Sequence, residues 1–391
     1  MLSPVLVGEK SPQATVETWR YHLSLLAPTF SLIATFRVNP DGCQGAVAKT
    51  LLPAFGVAMD TLVRTVTLNG FLTVCNLHGL NSHELLRAVG LNAGSLVDAE
   101  CHISAETLCR LLDLAAQESA CSAFGVQMAQ NRQMLDFGIM GVLMRHQPCL
   151  RDMWLSAIRY RQLLNDALAI SLEPAGDLAV LRFELLVDTR IPQTQSCELV
   201  AGIMVRTCQA VLGPLWTPQR VSFMHAAPQE THHHKRFFGC PLDFGSEFNG
   251  LVFHAADLKV PNPSADPELV RYAESVVMPL HASGDKAVLQ EVRRNIYLLM
   301  PLDQAKIERV AERMNLSART LQRQLDQSGT SFSELLDSVR KNLVLRYLQN
   351  QRYSIGQVAS LTGYSRQASF TRWFQQNFGM SPRQWRQVNP S

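Results

Sequence analysis

Two stretches near the C-terminus set arginine, glutamine and hydroxyl side chains at matching points of a repeated pattern. IERVAERMNLSARTLQRQL begins at Ile307, and IGQVASLTGYSRQASFTRWF begins at Ile355. Ile307, Val310, Ala311, Leu316 and Ser317 recur 48 positions later as Ile355, Val358, Ala359, Tyr364 and Ser365. The second copy then carries one extra residue, so Leu321, Arg323 and Leu325 correspond to Phe370, Arg372 and Phe374. With the apolar positions turned inward, Arg319, Gln322 and Arg323 remain outward in the first copy. Arg366, Gln367, Ser369, Thr371 and Arg372 remain available in the second. Arg and Gln are the side chains that make paired hydrogen bonds with guanine and adenine edges in a major groove. Ser317 and Ser365 stand where a helix N-cap belongs, and the amides of a capped helix start can meet a phosphate.

Each copy has the marks of a helix-turn-helix, spanning 307–328 and 355–377. Small Ala311 or Ala359 lets the second helix cross the first closely. The turn needs a residue comfortable at positive φ, which Asn315 and Gly363 supply. Between the copies, SELLDSVRKNLVLRYLQNQ predicts a helix capped by Ser333, with Leu336, Val339, Leu343 and Tyr347 on one face. About sixteen residues at ~1.5 Å each make a rod of roughly 24 Å. Such a rod sets the two outer helices about 34 Å apart, one turn of B-DNA, so one chain reads two successive major grooves.

Charge supports a polyanion partner for this end of the chain. The 391 residues total +3, but from Val288 onward there are fifteen Lys and Arg against seven acids, a net +8 that leaves −5 for the rest. Ser338 to Ser391 contain no Asp or Glu. An acidic body with a basic terminal domain fits double-stranded DNA.

The chain divides into three parts. Residues 1–58 are weakly patterned, with Pro4, Pro12, Pro28, Pro40 and Pro53 interrupting each candidate element. The good patterning that follows Met59 admits translation from that residue. Residues 59–284 mix helix and strand signals. NSHELLRAVGL reads as a helix capped by Asn81 or Ser82, and helices follow in AETLCRLLDLAAQES after Ser104, in LRDMWLSAIRYRQLL and in ELVAGIMVRTCQAVLG. ALAISLEPAGDLAVLRFELL alternates with period two around a turn at Gly176, and RVSFMHA and GLVFHA are further strands. Ser283-Gly284-Asp285 predicts the linker, and residues 285–391 are helical throughout. The fold class is α+β, a mixed sensor-like body followed by an all-α domain.

With those residues in view, the C-terminal part resembles the AraC/XylS family of bacterial transcription regulators. SIGQVASLTGYSRQASFTRWFQQNFGMSPRQWR, Ser354 to Arg386, matches that family's signature nearly throughout, with Trp373 standing where a smaller residue is commoner. The body resembles the family's arabinose-binding-like sensor domain, through QMLDFGIMGVLMRHQPCLRDMWLSAIRYRQLLND and HKRFFGCPLDFGSEFNGLVF. The resemblance implies a cytoplasmic, sequence-specific regulator of promoter DNA. It implies an activator, working as a homodimer with RNA polymerase and switched by a small-molecule effector. The alternative is a constitutive architectural DNA binder with a degenerate sensor domain.

Other residues invite chemistry with less support. His232, His233 and His234 are adjacent, so their side chains diverge and a metal site is not expected. Nine cysteines without a CxxC pair fit reduced thiols, and Cys101, Cys109 and Cys121 are expected to be buried. Cys240 lies between Gly239 and Pro241, not beside a histidine, so an alkyl-accepting nucleophile and enzyme activity are not expected. Asp136, Phe137, Gly138, Met140, Met144, Tyr160 and Arg161 are candidates for an effector pocket, although core packing of the apolar members and a solvated face for the charged ones is the stronger reading of each. No cofactor is implied. The start MLSPVLVGEK lacks a basic stretch ahead of an apolar one, so a secretory signal is not expected, and no run is long enough for a membrane span.

Overall fold

The computed structural model describes residues 18–23, 32–37, 61–92, 94, 101–188, 190–281 and 285–389. Strands β1 (Thr18–Leu23) and β2 (Leu32–Arg37) form an antiparallel hairpin of their own. Both strands lie inside the weakly patterned 1–58 stretch. Pro28 falls between the two strands, where it interrupts neither. The predicted linker residues 283 and 284 lie outside the described residues, and Asp285 opens a helix.

The body begins with β3 (Leu62–Arg64), paired antiparallel with β4 (His102–Ser104). Between them lie helices α1 (Phe71–Leu77) and α2 (Ser82–Ala88). Asn81 caps α2, its side chain accepting from the amides of His83 and Glu84. Helices α3 (Ala105–Glu118), α4 (Phe124–Ala129), α5 (Ile139–Arg145) and α6 (Leu150–Arg159) follow. On α3 the expected stripe of Leu108, Leu111, Leu112 and Ala115 is buried.

A five-stranded sheet comes next. Its strands are β5 (Leu168–Ala175), β6 (Leu178–Leu185), β7 (Arg220–Phe223), β8 (Leu242–Phe244) and β9 (Asn249–His254). They lie in the order β5-β6-β9-β7-β8, and all pairs are antiparallel except β7 with β8. Gly176, at φ 65°, makes the turn between β5 and β6, and Pro174 is tolerated because β5 is an edge strand. The sequence did not indicate β8, which has only three residues.

Helix α7 (Thr194–Leu212) crosses the body and ends at Gly213, φ 99°. It approaches α4 closely because a Cβ at Gly125 would run into the Gln195 carbonyl. Gln195 then ties the pair, accepting from the Gly125 amide at 2.8 Å and donating to the Ser122 carbonyl at 3.0 Å. Helices α8 (His232–Phe238) and α9 (Pro267–His281) complete the body.

The remaining described residues form α10 (Asp285–Leu299), α11 (Ile307–Arg313), α12 (Ala318–Gln327), α13 (Phe332–Gln349), α14 (Ile355–Leu361), α15 (Gln367–Phe378) and α16 (Pro382–Val388). Buried apolar side chains separate into two clusters, one in the body and one in this helical part. Ala169 of β5 and Leu186, just past β6, belong to the second cluster although the chain places them in the body. They do so because strand side chains alternate. Leu168, paired with Leu185, points into the body's core, while Ala169, paired with Glu184, points at the helical domain.

Candidate functional site

In the first helical hairpin, Val310 and Ala311 of α11 are buried and Asn315 takes φ 55° in the turn. Ser317 caps α12, its Oγ accepting from the Thr320 amide at 3.1 Å. Leu321 and Leu325 are fully buried. Ser317, Arg319, Gln322 and Arg323 are all exposed, so one face of α12 presents two guanidinium groups, an amide and a hydroxyl.

The second hairpin repeats this with a difference at the helix start. Gly363 takes φ 79°, Val358 and Ala359 are buried on α14, and Phe370 and Phe374 are fully buried on α15. Ser365, expected as the N-cap, does not hold that position. The N-cap is Arg366, in extended conformation and without a side-chain capping bond. The extra residue of the second copy lies here and delays the helix, leaving Ser365 in the turn. Ser365, Arg366, Gln367, Ser369 and Arg372 are exposed, and Thr371 is half-buried.

Trp373 faces the neighbouring helix. Its Nε1 donates to Asp337 Oδ1 of α13 at 2.9 Å, and its ring stacks near Phe370, with centroids 6.3 Å apart. Asp337 also pairs with Lys341 at 2.9 Å, so this acid of the linking helix is neutralised within the domain. The linking helix itself starts earlier than expected. Ser331, not Ser333, is the cap, in a capping box with Glu334, and Leu335 rather than Leu336 is the buried residue of the first turn. The reciprocal hydrogen bonds favour Ser331 because Glu334 lies three residues beyond it.

Not all of the terminal basic surplus faces outward. Arg294 is 2% exposed and binds the Asp166 carboxylate at 3.0 Å. Arg386 donates to the carbonyls of Leu348 and Asn350 at the end of α13. Arg340 donates to the Thr362 carbonyl at 3.0 Å and lies 5.0 Å from the Tyr364 ring centre. It thereby fixes the turn that precedes α15, while burial pushes the Tyr364 hydroxyl up to about 12. The charge count alone places such arginines with the outward-facing ones; only the packing separates them.

The helical domain is tied to the body by a buried ion pair. Arg346 of α13 meets Glu184 of β6 at 2.5 Å, and also donates to Leu185 O and Gln193 Oε1. Glu184 is 1% exposed. Burial pulls the Arg346 guanidinium down most strongly of any single cause, but the Glu184 carboxylate together with Tyr297, Cys197 and Tyr347 outweighs it and the net direction is upward. Arg161 pairs with Glu291 of α10. Past the end of α13, Arg352 donates to the Phe244 carbonyl at 2.7 Å and Tyr353 to the Ser246 carbonyl at 2.5 Å.

Behind the β5–β6 hairpin the body holds a cavity of about 90 Å³. Val63, Leu108, Trp154, Leu185, Leu199 and Ile203 contribute to its wall, and Arg64 and Arg132 reach it as charged groups. Of the pocket candidates from sequence, Phe137 and Met144 line it, whereas Asp136, Gly138, Met140, Tyr160 and Arg161 do not. Asp136 comes near indirectly, 3.9 Å from Arg132. Sequence reasoning missed Arg132 because a lone arginine after α4 has no pattern to mark it.

The histidine run opens α8; His232 and His233 are exposed and, contrary to the expected divergence, have ring centres only 4.0 Å apart, while His234 turns inward. His234 is fully buried and hydrogen-bonds Glu198 Oε1 of α7 at 2.8 Å, with His225 Nε2 3.7 Å from the same oxygen. Burial holds His225 below its ordinary value. Cys101 is exposed, contrary to expectation, because it precedes β4 outside the helix, while Cys109 and Cys121 are buried. The Cys240 thiol is pushed up to about 11 by burial, which does not favour a nucleophile.

A cavity-bearing mixed domain joined to two capped helical hairpins with arginine-rich outer faces defines a DNA-binding transcription regulator rather than an enzyme. Residues 79–262 match the arabinose-binding domain of AraC transcription regulators, and residues 310–388 match a helix-turn-helix domain. The chain belongs to the AraC/XylS family. It is 27% identical over 334 residues to the HTH-type transcriptional regulator VirS of Mycobacterium tuberculosis, covering 84% of this chain and 97% of that protein. It is also 27% identical over 269 residues to the ornithine utilization regulator of Pseudomonas aeruginosa, covering 68% and 79%. Among solved structures, transcriptional regulator CdpR from Pseudomonas aeruginosa aligns over 78% of this chain and 96% of that one, with 16% identity and a TM-score of 0.40. Among the described residues no helix is long and apolar enough to cross a membrane.

Proposed function

We propose that the chain is an effector-responsive activator that reads two successive major grooves, one with α12 and one with α15. The observation that carries this reading is the repetition of one exposed set on both helices. Arg319, Gln322 and Arg323 with Ser317 stand on the first, and Arg366, Gln367, Ser369 and Arg372 with Ser365, joined by half-buried Thr371, on or just before the second. Eighteen residues in α13 at ~1.5 Å each give a connecting rod of about 27 Å, compatible with a one-turn separation. The organisation is a 1–58 extension, a 59–284 sensor and dimerisation domain, and a 285–391 DNA-binding domain. The protein acts in the cytoplasm as a homodimer and contacts RNA polymerase at promoters.

Signal transfer runs through the β5–β6 hairpin. An effector in the cavity touches one face of these strands, and the other face holds Ala169, Glu184 and the Arg346 pair. Genome-wide occupancy mapping, with the gene present and deleted, tests the reading. Discrete sites with paired half-sites about ten base pairs apart support it. Uniform coverage without sequence preference overturns it in favour of an architectural binder.

A further inference from the structure

We infer, building on that reading of the sensor domain, that the cavity takes a small, mostly apolar carboxylate whose anionic head meets Arg132, and not a sugar. The family description speaks of arabinose, but the wall chemistry here points elsewhere. Apart from Arg132 and Arg64, whose guanidinium donates to the Leu163 carbonyl at 3.3 Å, the wall is dominated by Val, Leu, Ile, Met and Phe side chains. A pentose carries hydroxyls on every side, each needing both an acceptor and a donor once water is removed.

The polar atoms at the wall are mainly donors. Arg132 is 5% exposed; its terminal nitrogens donate to the carbonyls of Val66 at 2.7 Å and Thr67 at 2.5 Å. Its Nε has no hydrogen-bond partner among the described residues. Trp154 Nε1 and Ser196 Oγ have thiols as neighbours, those of Cys208 and Cys109. Asn165 Oδ1, an acceptor at the wall, is taken by the Ala167 amide at 2.8 Å. An ionised carboxylate accepts hydrogen bonds and donates none, which is the complement of this set. It also adds the negative charge that Asp136, 3.9 Å away and partly exposed, supplies incompletely. Burial lowers the Arg132 guanidinium to about 10, so the cation gains from such a partner. The apolar remainder of the ligand replaces empty space against side chains that already exclude water.

The test uses the full chain, titrated by calorimetry with octanoate, 3-phenylpropionate, octan-1-ol and L-arabinose. Sequence-specific DNA binding of the same preparation is measured in parallel. One-to-one carboxylate binding at least tenfold tighter than that of octan-1-ol is expected, with no arabinose binding. Arg132→Gln should abolish the tenfold preference while octan-1-ol still binds. Ile203→Trp should block both ligands with its melting temperature within a few degrees of wild type. The carboxylate-to-alcohol comparison stands in the wild type even where Arg132→Gln does not fold. Equal affinity for octanoate and octan-1-ol, saturable arabinose binding, or no binding of any probe overturns the inference. If DNA binding persists in those cases, the ligand class alone is wrong; loss of DNA sequence preference overturns the regulator reading itself.

Discussion

Glu184 and Leu185 are consecutive residues of β6 that face opposite ways: Leu185 lines the cavity, and Glu184 holds Arg346 of α13 at 2.5 Å. One strand's thickness therefore separates the sensor's interior from the helix that links the two helical hairpins. Removing one partner of a buried pair leaves the other charge without compensation, at about 3–5 kcal/mol. Glu184→Gln is expected to destabilise the chain by an amount of that order in urea unfolding. Glu184→Leu combined with Arg346→Met should recover most of the loss, since two apolar groups leave no unpaired charge. A double variant as unstable as the single one would show that Glu184 contributes through other contacts.

The recognition surface makes a separate demand. Arg319→Ala and Arg372→Ala should each cost on the order of 1–3 kcal/mol on a cognate site, and much less on random DNA, if the guanidinium groups read bases. Fluorescence anisotropy on both DNAs measures the difference. Equal losses on the two would assign these arginines to phosphates. Affinity should also fall steeply with salt.

Much of the DNA-binding part was legible in the sequence because its constraints are local. The positive-φ turn residues Asn315 and Gly363, the cap Ser317 and the inward pairs Leu321 with Leu325 and Phe370 with Phe374 are each fixed by neighbours within a few positions. The misplaced caps show where that reasoning stops. Ser333 lies nearer the apolar run, but the reciprocal bond to Glu334 makes Ser331 the cap. Ser365 was aligned by repeat position, although the inserted residue shifts the helix start. The interdomain contact was not legible at all. Ala169, Ser171, Arg182 and Glu184 alternate like a solvent-facing edge, and they are buried because a domain more than a hundred residues away in the chain covers them.

The two serines provide a direct comparison. Ser317→Ala removes the acceptor for the Thr320 amide and is expected to cost about 1 kcal/mol. Ser365→Ala removes no cap and should change stability by less than about 0.5 kcal/mol. Paired denaturation curves decide the matter, and equal losses would restore Ser365 to the capping role.

Buried thiols give the protein a defined alkaline limit. Burial raises Cys109 from 9.0 to about 11, despite the Ser196 hydroxyl, and raises Cys208 to about 12. The folded state thus retains protons that the unfolded chain releases above pH 9. The stabilisation is complete below the unfolded value and is lost as pH rises towards the folded one. Between pH 7.5 and pH 10.5, Cys109 alone accounts for about 2 kcal/mol. Unfolding free energies at pH 7.5 and 10.5 should show this loss in the wild type and a smaller one in Cys109→Ala. Iodoacetamide at pH 7.5 should label exposed Cys101 well before Cys109, Cys197 or Cys208, as read by peptide mass spectrometry. Fast labelling of Cys109 in the folded protein would mean that the cavity wall opens to solvent, and the alkaline loss should then vanish with it.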